Sequence, residues 1–286
     1  MAEPAHEPQY WTKVIEPHRG FFSVGWGELW AYRDLIWQLV VRDFTTAYKQ
    51  TLLGPFWFVI QPLLMTVAFS FLFGRMAKFT TDGLPHFLFY IGGLAPWNYF
   101  ADCVSKTAFT FSKNAPVFGK VYFPRLAVPI AGVISALVAL GVRLAILLAG
   151  IAFYLWKDVA IHPNWRIATI PLLVVNMAML GLGVGCLVSA LTTRFRDLAA
   201  GVGFTLQLWM YASLIIFPLS RISPESRWIF LLNPMVPMIE GFRFAFLGAG
   251  TVERWHLGLS FAVSSVVLAV GVLLFNRAAR DVMDTV

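Results

Sequence analysis

Charge is what this 286-residue chain has least of: Asp, Glu, Lys and Arg together make up only 13% of it, against about a quarter in ordinary soluble domains. Hydrophobic residues fill 58% and the mean hydropathy is +0.71, which excludes a soluble domain and makes this a membrane protein. Cysteine is nearly absent. Cys103 and Cys186 each sit inside an apolar run, so there is neither a disulfide framework nor a thiolate metal site, and both read as small hydrophobes. The histidines His6, His18, His86, His162 and His256 are dispersed near termini or span ends, which leaves no converging set for metal or acid–base catalysis. No GxxxxGK[ST] loop is present to cradle nucleotide phosphates. Acids within apolar runs are scarce too. Asp102 is the only carboxylate well inside one, near its end, and the sequence gives it no evident partner, which argues against a proton- or sodium-coupled carrier. Any driving energy must come from elsewhere. The opening MAEPAHEPQYWTKVIEPHRG is polar and proline-containing; nothing in it reads as a cleavable signal, and the N-terminus is expected to stay on the side where it is made.

Long apolar runs are what the chain has in abundance. A bilayer core takes about 20 mainly apolar residues per helix, and six segments qualify, at roughly 52–74, 84–105, 126–156, 167–191, 199–220 and 255–276. The expected fold is an all-α integral membrane protein with six transmembrane helices and both termini on the cytoplasmic side. The excess of Lys and Arg in the segments assigned inside runs in the expected direction. The net charge of +7 is scattered between apolar runs, so it reads as membrane topology and headgroup contact rather than nucleic-acid binding. Four regions follow: a polar segment 1–27, an amphipathic interface helix 28–51, a six-span body 52–276 and a cytoplasmic tail 277–286.

In the interface helix Trp30, Trp37, Val40, Phe44 and Tyr48 fall on one side, with Asp34, Gln38, Arg42, Thr45 and Lys49 on the other. Such a helix lies along the headgroup layer. The stretch RDFTTAYKQTLLGPFWFVIQPLL then turns from lying on the membrane to crossing it. Gly54-Pro55 falls where a helix can begin, whereas Pro62 interrupts the backbone ladder and predicts a kink. Arg143 is the charge nearest the middle of a span; it needs the bundle interior, a hydrated conduit or a partner acid, unless it snorkels out of an overlong helix. The loop SKNAPVFGKVYFPRLAVPI mixes basic and apolar residues, as a knob for a groove on a cytoplasmic partner would, or as a helix resting on the membrane would. In residues 221–253, Ser223-Pro224 predicts a helix start and Asn233-Pro234 its stop, followed by a second short helix from about Pro237 to Leu247. The pair reads either as re-entrant helices lining a pathway or as interfacial helices lying flat.

Four blocks, RDFTTAYKQTLLGPFWFVIQPLL, FSKNAPVFGKVYFPRLAVPI, TTRFRDLAAGVGFTLQLWMYASLIIFPLS and LLNPMVPMIEGFRFAFLG, together resemble the permease subunits of type-2 ATP-binding-cassette exporters for O-antigen, capsule and teichoic-acid polysaccharides. The likeness covers about residues 24–286. It implies a homodimeric permease in the cytoplasmic (inner) membrane, joined to two copies of a separate ATPase that binds ATP and Mg, with no cofactor in this chain, and a lipid-pyrophosphate-linked glycan as cargo. On that model Arg33, Arg42 and Lys49 face the cargo headgroup. Spans one and five supply a conduit with Phe56, Trp57, Gln61, Phe204, Trp209 and Tyr211, and Arg143 is a further candidate. Aromatic faces suit the C–H surface of a sugar ring, although each one singly fits lipid contact or core packing better, and only the set carries the argument. Coupling to the ATPase falls to Asn114, Pro116, Lys120 and Pro124 in the loop 112–125, with Arg194, Phe195, Arg196 and Asp197 beside it. Asn233, Pro234, Glu240 and Arg243 belong to the exit helices in 221–253. The alternatives are a same-fold exporter of lipids or small drugs, and a membrane enzyme acting on lipid-linked sugars.

Overall fold

In hydrocarbon every backbone N–H and C=O must find its partner within the protein, which leaves helices as the economical way across. The computed structural model describes residues 26–48, 54–118, 123–195, 197–251 and 253–281, and every regular element among them is helical. In chain order these are α1 (Trp26–Ala31), α2 (Arg33–Tyr48), α3 (Trp57–Phe69), α4 (His86–Ala108), α5 (Thr110–Phe118), α6 (Ala127–Trp156), α7 (Ile170–Arg194), α8 (Leu198–Ala212), α9 (Arg227–Leu231), α10 (Met235–Leu247) and α11 (Arg254–Asp281). A 3-10 turn at Gly54–Phe56 leads into α3, and a π-helical stretch, Ser70–Met76, prolongs it.

Among the described residues four helical segments are long and apolar enough to cross a membrane: Trp57–Met76, Ala127–Trp156, Trp165–Arg194 and Arg254–Arg280. The remaining two expected spans depart from that standard for different reasons. The 23 residues of α4 reach about 34 Å at 1.5 Å per residue, yet Asn98, Asp102 and Lys106 dilute its hydropathy. The run expected over 199–220 is helical only to Ala212, giving 15 residues. Beyond it Leu214 takes a left-handed φ of 55°, and the chain turns instead of continuing.

Most of α4 is covered by neighboring helices, with Asn98 and Asp102 half-buried and Lys106 exposed in its last turn. It is packed against α3, α6, α7, α8 and α10, with Leu88, Phe89, Tyr90, Trp97, Tyr99, Phe100, Cys103 and Val104 among its buried side chains. Lipid therefore meets little of it. Cys103 and Cys186 are both free and buried. Helix α7 is clasped on its other side by α11, where two glycines let the backbones approach. A Cβ on Gly183 would stand 2.7 Å from the backbone of Leu268, and one on Gly271 would collide with the Gly183 carbonyl.

The segment expected to form an interface helix breaks at Tyr32 into α1 and α2. Its buried residues are Leu29, Leu39 and Val40, the last two clustered with Ala131 of α6. Trp30 and Trp37, expected on the same apolar side as Val40, stand outward. The reason is that α6 covers the face through Leu29, Ile36 and Val40 at near-heptad spacing, and the tryptophans lie just beyond its reach. Pro62 lies within α3 as expected, and the Thr66 hydroxyl donates to the Pro62 carbonyl at 2.7 Å. In the loop before α10, Ser223 forms a turn rather than a cap: its carbonyl accepts from Ser226 and Arg227 N–H, and α9 starts at Arg227, later than Pro224.

Gly183→Val is expected to lower stability by about 1–3 kcal/mol or more through overpacking. Gly141→Ala, at a helical position with nothing within 4 Å, should raise it by about 0.5–1 kcal/mol. Thermal unfolding of the purified protein in detergent, followed by tryptophan fluorescence, measures both.

Candidate functional site

Helix periodicity puts residues four apart on one face, and three helices use it here to build a polar cleft. Asn98, Asp102 and Lys106 line one wall from α4. Ser135, Ala136, Ala139 and Arg143 line a second from α6, and Trp57, Phe58, Gln61, Pro62 and Met65 a third from α3. With Asp43 and Phe44 of α2 at its edge, the cleft encloses about 420 Å³. The small side chains of Ala136 and Ala139 leave the room.

Inside it the Arg143 guanidinium donates to Asp102 Oδ2 at 2.8 Å, with Arg143 14% and Asp102 35% exposed. Asp102 thus has the partner that the sequence did not reveal, and Arg143 meets an acid instead of a membrane surface. Side chains on a helix lean toward its N-terminus, which brings the long Arg143 arm back along α6 to Asp102. One turn further along α4, the Lys106 ammonium donates to the Ser135 hydroxyl, which itself donates to the Gly132 carbonyl at 3.0 Å. No ion pair among the described residues includes Lys106. Sequence reading passed over Asn98, Lys106 and Ser135. The signal was the i, i+4, i+8 run of Asn98, Asp102 and Lys106 on one helix, which is invisible when Asp102 is read alone.

A second charged center lies at the far end of α4. Arg243 and Glu240 on α10 are 1% and 2% exposed and 3.2 Å apart. Arg243 also donates to the carbonyls of Leu214 at 3.1 Å and Ile215 at 2.9 Å, and stacks 3.8 Å from the Phe89 ring center. The other Glu240 oxygen accepts from Thr251 N–H at 3.3 Å. These bonds join α10 to the turn after α8 and to α4. Asn233 works similarly: its Oδ1 accepts from Trp209 Nε1 at 3.0 Å and Met235 N–H at 3.1 Å, while its Nδ2 donates to Ser213 Oγ at 2.9 Å. The Pro234 carbonyl accepts from Ser260 of α11 at 2.8 Å. Among the exit candidates, then, all four side chains or backbones are engaged in holding elements together.

The conduit candidates divide. Phe56, Trp57 and Gln61 on the α3 side, and Phe204 and Tyr211 on α8, are exposed, with Phe204 the most open of the α8 pair at 68%. Trp209 points inward, edge-on to Phe100 at 5.0 Å and Trp97 at 6.3 Å. Arg143 lies in the cleft. Of the headgroup candidates, Arg42 is held by Asp43 through two donors at 3.0 and 3.3 Å, Arg33 lies 3.9 Å from Asp34 and over the Trp30 ring, and Lys49 falls outside the described residues. Of the coupling candidates, Asn114 donates to the Thr110 carbonyl at 3.0 Å within α5, and Pro116 lies in the same helix. The Pro124 carbonyl accepts from Ala127. Arg194 stacks on Phe195, Asp197 precedes α8, and Lys120 and Arg196 lie outside the described residues. No group of three or more His, Cys, Asp or Glu converges as metal ligands among the described residues.

Residues 34–247 match the family model described as ABC-2 type transporter. The chain belongs to that family. It is accordingly a membrane permease of an ATP-binding-cassette transporter and not an enzyme, and the ATP-binding part is a separate subunit. The O-antigen export system permease protein RfbA of Myxococcus xanthus is 29% identical over 262 residues, covering 91% of this chain and 98% of that one. RfbA of Klebsiella pneumoniae is 27% identical over 246 residues, 85% and 92% of the two chains. The polysialic acid transport protein KpsM of Escherichia coli is 22% identical over 253 residues, 86% and 94%. The match runs through α2 to α10, so both charged centers of this permease fall within it.

Glu240→Gln removes the carboxylate paired with the fully buried Arg243 guanidinium and should cost about 3–5 kcal/mol, read as a fall in unfolding temperature or loss of folded protein on gel filtration. In the cleft, Asp102→Asn strands Arg143, while Asp102→Asn with Arg143→Gln strands neither. The double variant should be more stable than the sum of the single losses predicts, as a double-mutant cycle of unfolding temperatures will show.

Proposed function

We propose that this permease is the membrane subunit of an ATP-driven exporter of lipid-linked polysaccharide, of the O-antigen, capsule or teichoic-acid kind, across the cytoplasmic membrane. The supporting observation is the likeness, over most of both chains, to permeases named for O-antigen export. Two copies and two ATPase subunits make up the working assembly, and both termini lie in the cytoplasm. On this reading α3, α4, α6, α7, α8 and α11 are the six spans. Helix α4 qualifies through its shelter among neighbors, and short α8 is completed by the turn that Arg243 holds.

The other elements take places suggested by their chemistry. Helices α1 and α2, with Trp30 and Trp37 outward, lie at headgroup depth, where an indole rests with its ring in the apolar layer and its N–H near water. Helix α5 joins two spans at the same end and is the contact for the ATPase, with Asn114, Pro116, Lys120 and Pro124 and the neighboring turn of Arg194, Arg196 and Asp197. Helices α9 and α10 dip into the opposite leaflet, a depth that irregular backbone tolerates when its polar groups are satisfied by protein; the bonds from Arg243 to Leu214 and Ile215 satisfy two of them.

Cargo moves where α3 and α8 leave side chains uncovered. Phe56, Trp57, Phe204 and Tyr211 offer flat faces on which sugar rings slide without any one monomer being gripped, and Gln61 offers an amide to passing hydroxyls. Arg33, Arg42 and Lys49 draw the pyrophosphate headgroup to the entry, although Arg42 must share its charge with Asp43. Closure of the ATPase pushes α5 and shifts the spans at the seam between two protomers.

Replacing Trp57 and Phe204 by alanine should reduce surface polysaccharide at least severalfold while the permease still copurifies with its ATPase. The measurement is immunoblotting of exported polymer in cells dependent on this permease, and undiminished export by the double variant would rule out aromatic sliding.

A further inference from the structure

The cleft between α3, α4 and α6 has a charge inventory that points to a ligand. Its lining holds Asp43, Asp102, Lys106 and Arg143. Both acids are already occupied: Asp43 by Arg42 at 3.0 Å and Asp102 by Arg143 at 2.8 Å. Lys106 is left over, its ammonium bonded to the neutral Ser135 hydroxyl and paired with no acid among the described residues. Lys106 is exposed in the last turn of α4, so its ammonium is open to an anion that enters the cleft. The same lining holds neutral groups able to donate to anionic oxygens, namely the Asn98 and Gln61 amides. The remaining wall is apolar and aromatic, from Trp57, Phe58, Pro62 and Met65, and continues into the exposed α3 side chains Leu64 and Val67. A polar pocket that opens along a greasy helix face suits an amphiphile with its anionic head inside and its hydrocarbon along α3.

We propose that this cleft is a binding site for the phosphate group of a membrane lipid, with Lys106 as its principal cation, Arg143 as the second, and Ser135 holding the Lys106 ammonium in place. An ammonium-bearing or purely neutral head would find no free acid to meet and would leave Lys106 unanswered. Two sources share the required chemistry, a polyprenyl diphosphate and a resident glycerophospholipid. The choice between them rests on the exporter reading; the phosphate assignment does not. The site adjoins the headgroup contacts assigned to α2, since Asp43, the partner of Arg42, stands at its edge, but its cations belong to α4 and α6.

The test uses the full-length permease copurified with its ATPase in a maltoside detergent, titrated with phosphatidylglycerol, with a polyprenyl diphosphate, and with dioleoylglycerol as the phosphate-free control, binding being read by native mass spectrometry. The wild type should bind both phosphate lipids at least tenfold more tightly than the control. Lys106→Gln should lose about tenfold in affinity, a difference of about 1.4 kcal/mol, while Lys106→Arg retains most of it. Ala139→Leu, which fills the cleft and leaves every charge in place, should abolish the preference. Equal binding by wild type and Lys106→Gln, or no preference for phosphate over dioleoylglycerol, overturns the proposal. A tenfold advantage for the diphosphate assigns the site to the carrier lipid, and equal binding of the two phosphate lipids assigns it to lipid phosphate in general; both uphold it. Export is scored separately in cells. Loss of binding with export intact leaves the exporter reading standing, and binding by a wild type that exports nothing refutes that reading while the phosphate site remains.

Discussion

A guanidinium with almost no water around it is the constraint on which one half of this bundle is organized. Removing Arg243 from solvent would be prohibitive if its donors went unanswered, and the structure answers its two terminal nitrogens with Glu240 and two consecutive backbone carbonyls and lays the group on the face of Phe89, leaving only Nε without a hydrogen-bond partner. The partners lie on three elements, so satisfying one side chain fixes α10, the turn after α8 and the N-terminal part of α4 relative to one another. The approach demands space on α4. Gly93 supplies it, since a Cβ there would collide with the guanidinium. The left-handed turn at Leu214 also follows, because it aims two successive carbonyls at the same group.

Around that fixed point the helices sort into two kinds. Helices α4, α7 and α10 are heavily buried and share one core, with α11 drawn against α7 by Gly183 and Gly271. Helix α3 buries only Thr66 and Phe69, and α8 only Val202, Leu206 and Met210. The lightly covered pair carries the aromatic side chains assigned to cargo. Surfaces that a cargo must reach cannot also be packed away, so on the proposed reading the sparse burial of α3 and α8 keeps their aromatic faces open.

The outline of the fold was legible because membrane spans are written in composition, and composition survives without tertiary context. The runs that became α3, α6, α7 and α11 needed nothing else. Helix α4 and the end of α8 were less so. What makes α4 acceptable is the company of its neighbors, and what ends α8 is a carbonyl acceptor role fixed by a residue about thirty positions later. The pairing of Asp102 with Arg143 was hidden for the same reason: each charge was noticed singly, but contact between helices depends on register, which one sequence does not state. Trp209 shows the opposite error. Its position in an apolar run with Phe204 and Tyr211 groups it with them, yet the helix turns it toward Phe100 and Asn233. Helices α1 and α2 were legible as an amphipathic pattern, but which of their apolar residues α6 would cover was not.

The sheltered polarity of α4 bears on how the chain is made. A helix containing Asn98, Asp102 and Lys106 partitions poorly into lipid by itself, and Arg143, the residue that neutralizes Asp102, emerges from the ribosome only after α5 and half of α6 have been synthesized. Insertion of α4 together with α6 lets Asp102 and Arg143 enter the bilayer as an ion pair, which spares each the cost of entering alone.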